Sequence, residues 1–456
     1  MGRVLALPAC SDPSPSAPRT LGAGLLLVVL IVAFESMAVG TVLPRVAGDL
    51  HGLSLYGWAS SAFLLSSLFG AVVSGVVADR RSLATSASVS LLIFAAGLMV
   101  AGGATSMLLF VLGRLVQGLG AGGLGALPFA VITARYPEHA RARMLAAVSS
   151  AWLIPALVGP LIASLIADAW SWRAVFWGLV PVLALASPLC VLPLRSGPRE
   201  AASGGRGGLE LLGPALGLAL SAGAVVEGLR RPDLLAALLL ALGGGGVALT
   251  SRRLFPPGLW RFAPGLPAAL ALRGLAAFAL LGANAFLPLA LHDLRGLSLT
   301  QAGWLLSVGG ATWTLGSWVQ AQLERRSGAA SRPVRIRVGM AGIVLGLLVT
   351  ALGTLGHTPL WSVYAGWFVA CLSMGVGYNS NSLFALGALA PEEAGRLSGQ
   401  LANIEVLMVA VAAGVGGALI ARVEPLGTAF ALAFGVTLLG AVLTALPALR
   451  LTPKSG

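Results

Sequence analysis

The chain has 456 residues, of which 57% are hydrophobic and 10% charged, and its mean hydropathy is +0.91. A soluble domain carries about 25% charged residues, so a single water-soluble fold is excluded and a polytopic membrane protein remains. The net charge of +13 would point to a nucleic-acid partner in a soluble protein; the placement of the charges, given below, removes that reading.

The N-terminal stretch, Met1 to Thr20, is polar and rich in Pro and Ser, unlike a cleavable signal peptide. Apolar spans then follow at roughly 21–43, 56–78, 83–103, 107–133, 143–167 and 173–194. A Gly/Arg-rich linker, 195–208, leads to two shorter Gly/Leu-rich spans at 209–229 and 233–250, and a Pro/Arg-rich segment, 252–264, closes that insert. Six more spans run at 265–291, 301–323, 337–355, 358–390, 396–421 and 427–449. Each is long enough for a helix to cross an apolar layer of about 30 Å, whereas barrel strands would read as short alternating segments. The expected layout is six helices, two, then six.

Arginine and lysine in the loops set orientation. With the N-terminus inside, 21 of the 29 fall in inside segments and 6 outside, with Arg114 and Arg273 within spans. The bias predicts both termini in the cytoplasm and an even number of helices. Basic charge confined to one side of a membrane is not a nucleic-acid surface. Three cysteines, Cys10, Cys190 and Cys371, are too few and scattered for a disulfide framework.

A repeat lies at an offset of 244: Leu43-Pro44, Asp49-Leu50 and Gly52-Leu53-Ser54-Leu55 recur as Leu287-Pro288, Asp293-Leu294 and Gly296-Leu297-Ser298-Leu299. One residue later in register, Asp79-Arg80-Arg81-Ser82 recurs as Glu324-Arg325-Arg326-Ser327. Eight spans separate the copies, so they share one orientation, as in transporters built from parallel repeats with a site between the halves.

Three local patterns carry chemistry. Gly75, Asp79, Arg80 and Arg81 end the second span on a short loop, where a carboxylate and two guanidiniums can bridge helix ends or act only as a basic anchor. In span 4, Arg114-Leu-Val-Gln117-Gly118-Leu-Gly120 puts a charge inside the membrane, at a cost of at least ~2.5 kcal/mol unless it meets a partner or a cavity. The formal Gly-x-Gly-x-x-Gly from Gly118 to Gly123 lies mid-helix, so it reads as a close-packing face rather than a dinucleotide loop. Span 5 carries Pro155, Gly159 and Pro160 before Ala163-Ser164, a kinked helix with small neighbours.

Together these residues resemble the major facilitator superfamily, in its fourteen-helix drug/proton antiporter branch. Gly75–Arg81 is similar to the family's loop 2–3 signature, Arg114–Gly120 to its span 4 signature, and Gly159-Pro160 to the core of its antiporter signature. Phe34-Glu35-Ser36 with Leu43-Pro44 resembles the span 1 signature, with Glu35 where an aspartate is usual. Ser82-Leu83-Ala84 and the residues Pro155, Ala163 and Ser164 depart from the family's pattern. The resemblance implies an all-α membrane protein of 6+2+6 helices in two pseudo-symmetric parallel-repeat bundles. Its parts are a cytoplasmic tail (1–20), a first bundle (21–194), an insert with two extra helices (195–264), a second bundle (265–449) and a second tail (450–456). It implies a monomer in the plasma membrane that exports amphipathic compounds in exchange for protons, in the manner of multidrug efflux and antibiotic resistance.

Glu35 and Glu405 are the acidic residues well inside spans. Glu35 and Arg114 lie at matching depths, roughly 10–12 Å below the outer surface at 1.5 Å per residue, and Glu405 and Arg273 are matched near the inner ends of spans 13 and 9. A carboxyl poised between burial, which favours its neutral form, and a guanidinium, which favours its charge, is a candidate proton carrier; two static ion pairs are the alternative. The architecture suggests a cavity lined by Gln117, Asn284, Tyr378, Asn379, Asn381 and Phe384, with Trp304, Trp313 and Trp318 as further candidates.

Lys454 is the only lysine, so no phosphate-binding loop of the ATPase type exists, and no nucleophile elbow is present. The histidines His51, His139, His292 and His357 lack metal-ligand spacing. The expectation is a transporter that is no enzyme and has neither cofactor nor metal. Export of one lipid, siderophore or metabolite stands as the alternative on the same fold; a membrane-embedded enzyme or a sensor is the alternative from another class.

Overall fold

The computed structural model describes residues 19–196, 207–387 and 394–451. The two terminal tails expected to be cytoplasmic lie almost wholly outside them, as does most of the first linker. No strand occurs among the described residues, and successive helices cross back and forth between two faces, one of which collects most of the arginines.

The helices are α1 (Arg19–Asp49), α2 (Tyr56–Arg80), α3 (Leu83–Gly102), α4 (Met107–Arg135), α5 (Glu138–Ser150), α6 (Leu153–Ala169), α7 (Trp172–Trp177), α8 (Leu179–Ser196) and α9 (Gly207–Arg230). They continue as α10 (Leu234–Leu254), α11 (Leu266–Arg295), α12 (Leu299–Ser327), α13 (Arg332–Thr354), α14 (Trp361–Leu386), α15 (Ala394–Arg422), α16 (Leu426–Leu443) and α17 (Ala445–Leu449). Twelve helical stretches are long and apolar enough to cross a membrane. At 29 and 26 residues α12 and α14 have similar lengths but are less apolar, because they carry Thr312, Thr314, Ser317 and Gln320, and Asn379, Ser380, Asn381 and Ser382.

Three spans that read as continuous are broken in two. The breaks fall at Ala151–Trp152, Gly178 and Thr444. Each lies beside the residue four before a proline: Ala151 before Pro155, Trp177 before Pro181, Leu443 before Pro447. Proline has no N–H to give to that carbonyl, and its ring crowds it. Helices α1, α4 and α11 continue through Pro44, Pro128 and Pro288, so proline permits a break without dictating it.

Close packing follows the small residues. A Cβ at Gly118 or Gly122 of α4 would run into the backbone of α2, and one at Gly120 into α3. The mid-helix glycines are therefore a contact face. The turns after α1 and α11 each contain a left-handed residue, His51 (φ 46°) and Gly296 (φ 66°), one position out of register in the repeat. Glycine adopts that conformation freely, whereas histidine pays a steric cost there.

Two seams join the helices before the 207–254 hairpin to those after it. In one, Gly303 and Gly310 of α12 press against the Pro160 and Ala156 carbonyls of α6. In the other, Gly57 of α2 meets Gly417 of α15, and Ser61 Oγ donates to the Ala410 carbonyl at 2.7 Å. Toward the Arg-poor face Asp168 bridges both sides, accepting from Arg45 Nη1 (2.8 Å) and from Thr300 Oγ1 (2.7 Å).

Candidate functional site

A cavity of about 580 Å³ lies at mid-depth between these seams. Its wall comes from α1 (Met37), from the broken α5–α6 segment (Ser149, Ser150, Trp152, Ala156, Pro160), and from α11 (Leu280, Leu281, Asn284). The second half adds Trp313, Thr314 and Ser317 of α12, Trp367, Cys371 and Asn379 of α14, and Glu405 of α15. The break before Pro155 is what turns Ser149, Ser150 and Trp152 toward this space. Three indoles, one carboxylate and a few amides and hydroxyls on an apolar wall suit an amphipathic ligand, since stacking surface and a few fixed polar groups coexist there.

Glu405 is the acidic residue on that wall. Its Oε2 accepts from Arg273 Nη2 (2.8 Å) and Nε (3.2 Å). Arg273 also donates from Nη1 to Ser382 Oγ (2.6 Å) and lies over the Tyr378 ring, 3.9 Å from its centroid. This pair ties α11, α14 and α15 together and stays partly open, with 27% of the Glu405 side chain exposed.

The second pair is of another kind. Arg114 Nη1 donates to Glu35 Oε1 and to Gln117 Oε1 (2.9 Å), its Nε donates to the Ala59 carbonyl (3.2 Å), and its guanidinium covers the Phe63 ring at 4.0 Å. Glu35, Arg114 and Gln117 are all buried, Glu35 to within 1%, and none of the three reaches the cavity wall. Glu35 Oε2 has no hydrogen-bond partner among the described residues. The matched depths thus bring both expected pairs together, yet only one meets the cavity.

Of the expected lining residues, Asn284, Asn379 and Trp313 are on the wall. Asn379 Nδ2 donates to Ser317 Oγ (2.8 Å), fixing two polar wall residues against each other. Asn381 is corrected to a packing role, because it is fully buried and donates to the Ala269 carbonyl of α11 (2.9 Å). Tyr378 is likewise set back from the wall, under Arg273 and edge-on to Trp313 at 5.7 Å, and Phe384 packs against the core. Trp304 and Trp318 are 53% and 61% exposed and point away from the cavity. Sequence reasoning missed Met37, Trp152 and Trp367.

The loop motifs also separate. Asp79, Arg80 and Arg81 are exposed, and Asp79 has no ion pair among the described residues. A Cβ at Gly75 would meet open space. The repeated copy makes the bridge expected of the first. Glu324 accepts from Arg332 (2.6 and 2.9 Å) and from Arg335 Nη2 (2.5 Å), linking the end of α12 to the start of α13. Glu324 lies beyond the apolar 301–323 stretch; hydrogen bonds from Arg332, then the charges of Arg332 and Arg335, outweigh partial burial and hold its carboxyl below the usual range. Pro160 lines the seam with α12, while Gly159, beside Pro155, packs against Phe34 and Met37 of α1. No cluster of three or more His, Cys, Asp or Glu suited to a metal occurs among the described residues.

The sequence matches the model of the Major Facilitator Superfamily over residues 25–413. A probable multidrug-efflux transporter of Mycobacterium tuberculosis is 25% identical over 88% of each chain. The acurin A biosynthesis cluster MFS-type transporter of Aspergillus aculeatus is 27% identical over 72% of this chain, and the match spans 57% of that protein's length. Among solved structures, a D-xylose–proton symporter superposes with a TM-score of 0.69 at 14% identity, covering 96% of this chain and 99% of that one. The E. coli xylose transporter does so at 0.64 and 14% identity, covering 96% and 98%. These likenesses carry the fold, and the family match extends over most of the helices described: the chain belongs to the Major Facilitator Superfamily, a multi-pass membrane transporter built on that superfamily's all-helical fold.

Proposed function

We propose that this protein exports amphipathic small molecules in exchange for protons, by alternating access of two six-helix bundles, 21–194 and 265–449, with the cavity between them. The observation that carries the reading is Glu405, a carboxylate on the wall of an aromatic-lined cavity, held by Arg273 from behind. A ligand entering the cavity competes with Arg273 for the Glu405 carboxylate, and that exchange of partners is the step that links cargo to the proton. Glu35 and Arg114 then serve as the fixed pair that joins α1 to α4. Arg80 and Arg81 with Asp79, and the Pro155–Pro160 segment, act where the bundles move against each other. The arginine bias supports both termini in the cytoplasm and a plasma-membrane location, with the transporter working as a monomer and without nucleic acid. The efflux direction draws on the mycobacterial relatives named for multidrug efflux.

The test is dye efflux from proteoliposomes under an imposed pH gradient. The reading expects efflux that follows the gradient and stops with a protonophore. Efflux indifferent to the gradient, or accumulation in the direction of proton flow, would reject it. Export of one specific metabolite is the second reading, favoured by the fungal relative named for a biosynthesis cluster. It expects no dye resistance and a changed pattern of secreted metabolite.

A further inference from the structure

The two seams differ on their membrane-facing sides. At the α6–α12 seam no further helix is hydrogen-bonded across on the membrane side among the described residues. The α2–α15 seam is overlaid by the α9–α10 hairpin, which packs on both helices but is hydrogen-bonded to them unequally. On the α15 side it is fixed near both membrane faces. Arg422 Nη1 donates to the Leu229 carbonyl at the Arg-poor end (2.8 Å), and Gln400 Nε2 donates to the Leu254 carbonyl at the Arg-rich end (2.9 Å). Between them Gly414 is packed against Val226 so tightly that a Cβ built there would fall 3.0 Å from Val226 Cβ.

On the α2 side the one polar attachment among the described residues is at the Arg-poor end. Trp58 Nε1 donates to Glu227 Oε2 at 2.9 Å, and the same carboxylate accepts from Arg230 (2.7 and 2.9 Å) and Arg231 (2.8 Å) of its own chain segment. The Trp58 ring lies over Gly223, where a Cβ would be 3.4 Å from its edge. Next to this attachment are the inter-bundle contacts of the same seam, Gly57 with Gly417 and Ser61 with the Ala410 carbonyl. Opening the Arg-poor side must part them.

We propose that the α9–α10 hairpin is a clasp: it rides with α15 as one body, and the Trp58–Glu227 bond latches it to α2 when the Arg-poor side is closed. The physical basis is a matter of leverage. A hairpin bonded to α15 at both ends has no freedom to slide along that helix. Its packing against α2 is apolar and carries one polar bond, so when that bond breaks the two surfaces are free to slide. A tryptophan N–H given to a carboxylate is a charge-assisted bond, strong enough to bias two conformations but single, so that it breaks in one step. Glu227 does not lose all its partners on release, because Arg230 and Arg231 stay with it, and that keeps the open state accessible.

The inference rests on the alternating-access reading, so its test needs neither substrate nor pH gradient. In a background with Cys10→Ser, Cys190→Ala and Cys371→Ala, a reporter Asn284→Cys on the cavity wall is labelled with a membrane-impermeant maleimide from the Arg-poor face. Glu227→Gln and Trp58→Phe are each expected to raise the labelling rate at least threefold. A bis-maleimide link between Trp58→Cys and Gly223→Cys is expected to lower it at least tenfold. A disulfide between Val226→Cys and Gly414→Cys, whose Cβ atoms come within reach after a small shift, should leave it within twofold. Equal effects of the two links, or no rise in either latch variant, would overturn the clasp. A reporter that labels in every variant at the rate of a fully exposed thiol would instead reject alternating access itself.

Discussion

The two ion pairs within the helices are built from the same residue types and sit in opposite surroundings. Glu35–Arg114 is sealed by the Phe63 ring, the Ala59 carbonyl and Gln117, while Glu405–Arg273 opens on the cavity. In a dry site the charges cost several kcal/mol each to desolvate and are kept only by each other. At a wet wall the cost is smaller and the partner can be exchanged. The first pair is sealed like a rivet and the second faces the cavity, although neither charge alone distinguishes them.

The largest expected effect tests the rivet. Glu35→Ala leaves Arg114 buried and unpaired, and should cost about 3–5 kcal/mol, seen as a loss of several degrees in melting temperature in detergent. Removing both partners together should recover part of that loss. Glu405→Ala, at the half-open pair, should cost only about 1 kcal/mol. Equal melting temperatures for the two single variants would erase the contrast.

Next in size is coupling. Glu405→Gln is expected to lower gradient-driven efflux at least tenfold while leaving downhill exchange of the same compound within a fewfold. If exchange fell equally, Glu405 would be a binding group and nothing more.

The cavity wall gives a smaller effect. Trp313→Ala removes stacking surface worth about 0.5–1.5 kcal/mol, a two- to tenfold weaker apparent affinity, whereas Trp304→Ala on the outer surface should change nothing. Equal losses from the two would mean that the cavity is not where the ligand sits.

The smallest effect separates the repeated loop motifs. Glu324→Gln should destabilise by about 1 kcal/mol, and Asp79→Asn by nothing measurable in melting. Because the Glu324 carboxyl titrates below its ordinary range when folded, its contribution is present above the unfolded value and is lost as pH falls through the folded one. The difference in melting temperature between Glu324→Gln and the parent should therefore shrink as the pH is lowered from neutrality into the acid range.

Much of this was legible in the chain. Span positions and the repeat follow from hydropathy, and the pairing of both acids with both arginines from their depths once the family resemblance places their spans side by side. Which pair is wet was not, because water access depends on lateral neighbours from other segments. The cavity owes its shape to a helix break at Ala151–Trp152 that hydropathy runs straight through. Helical geometry alone separates some of these residues. At about 100° per residue, Trp304 and Trp318 share one face of α12 and Trp313 occupies the opposite one, as the exposures record. Asn379 and Asn381, two residues apart, likewise cannot both face one cavity. A helical-wheel test would have kept Trp313 and Asn379 and set aside the others. The Glu324 bridge differs from Asp79 through Arg332 and Arg335 on the next helix, whereas the corresponding helix α3 begins with Leu83-Ala84-Thr85.

The central claim is that Glu405, and not Glu35, is the carboxyl within reach of water and cargo. Modification of the folded protein in detergent by a water-soluble carbodiimide and an amine, followed by peptide mapping, reads this directly. The account predicts that Glu405 is modified at least ten times faster than Glu35 and that Arg273→Ala speeds it further. Preferential modification of Glu35 would contradict it.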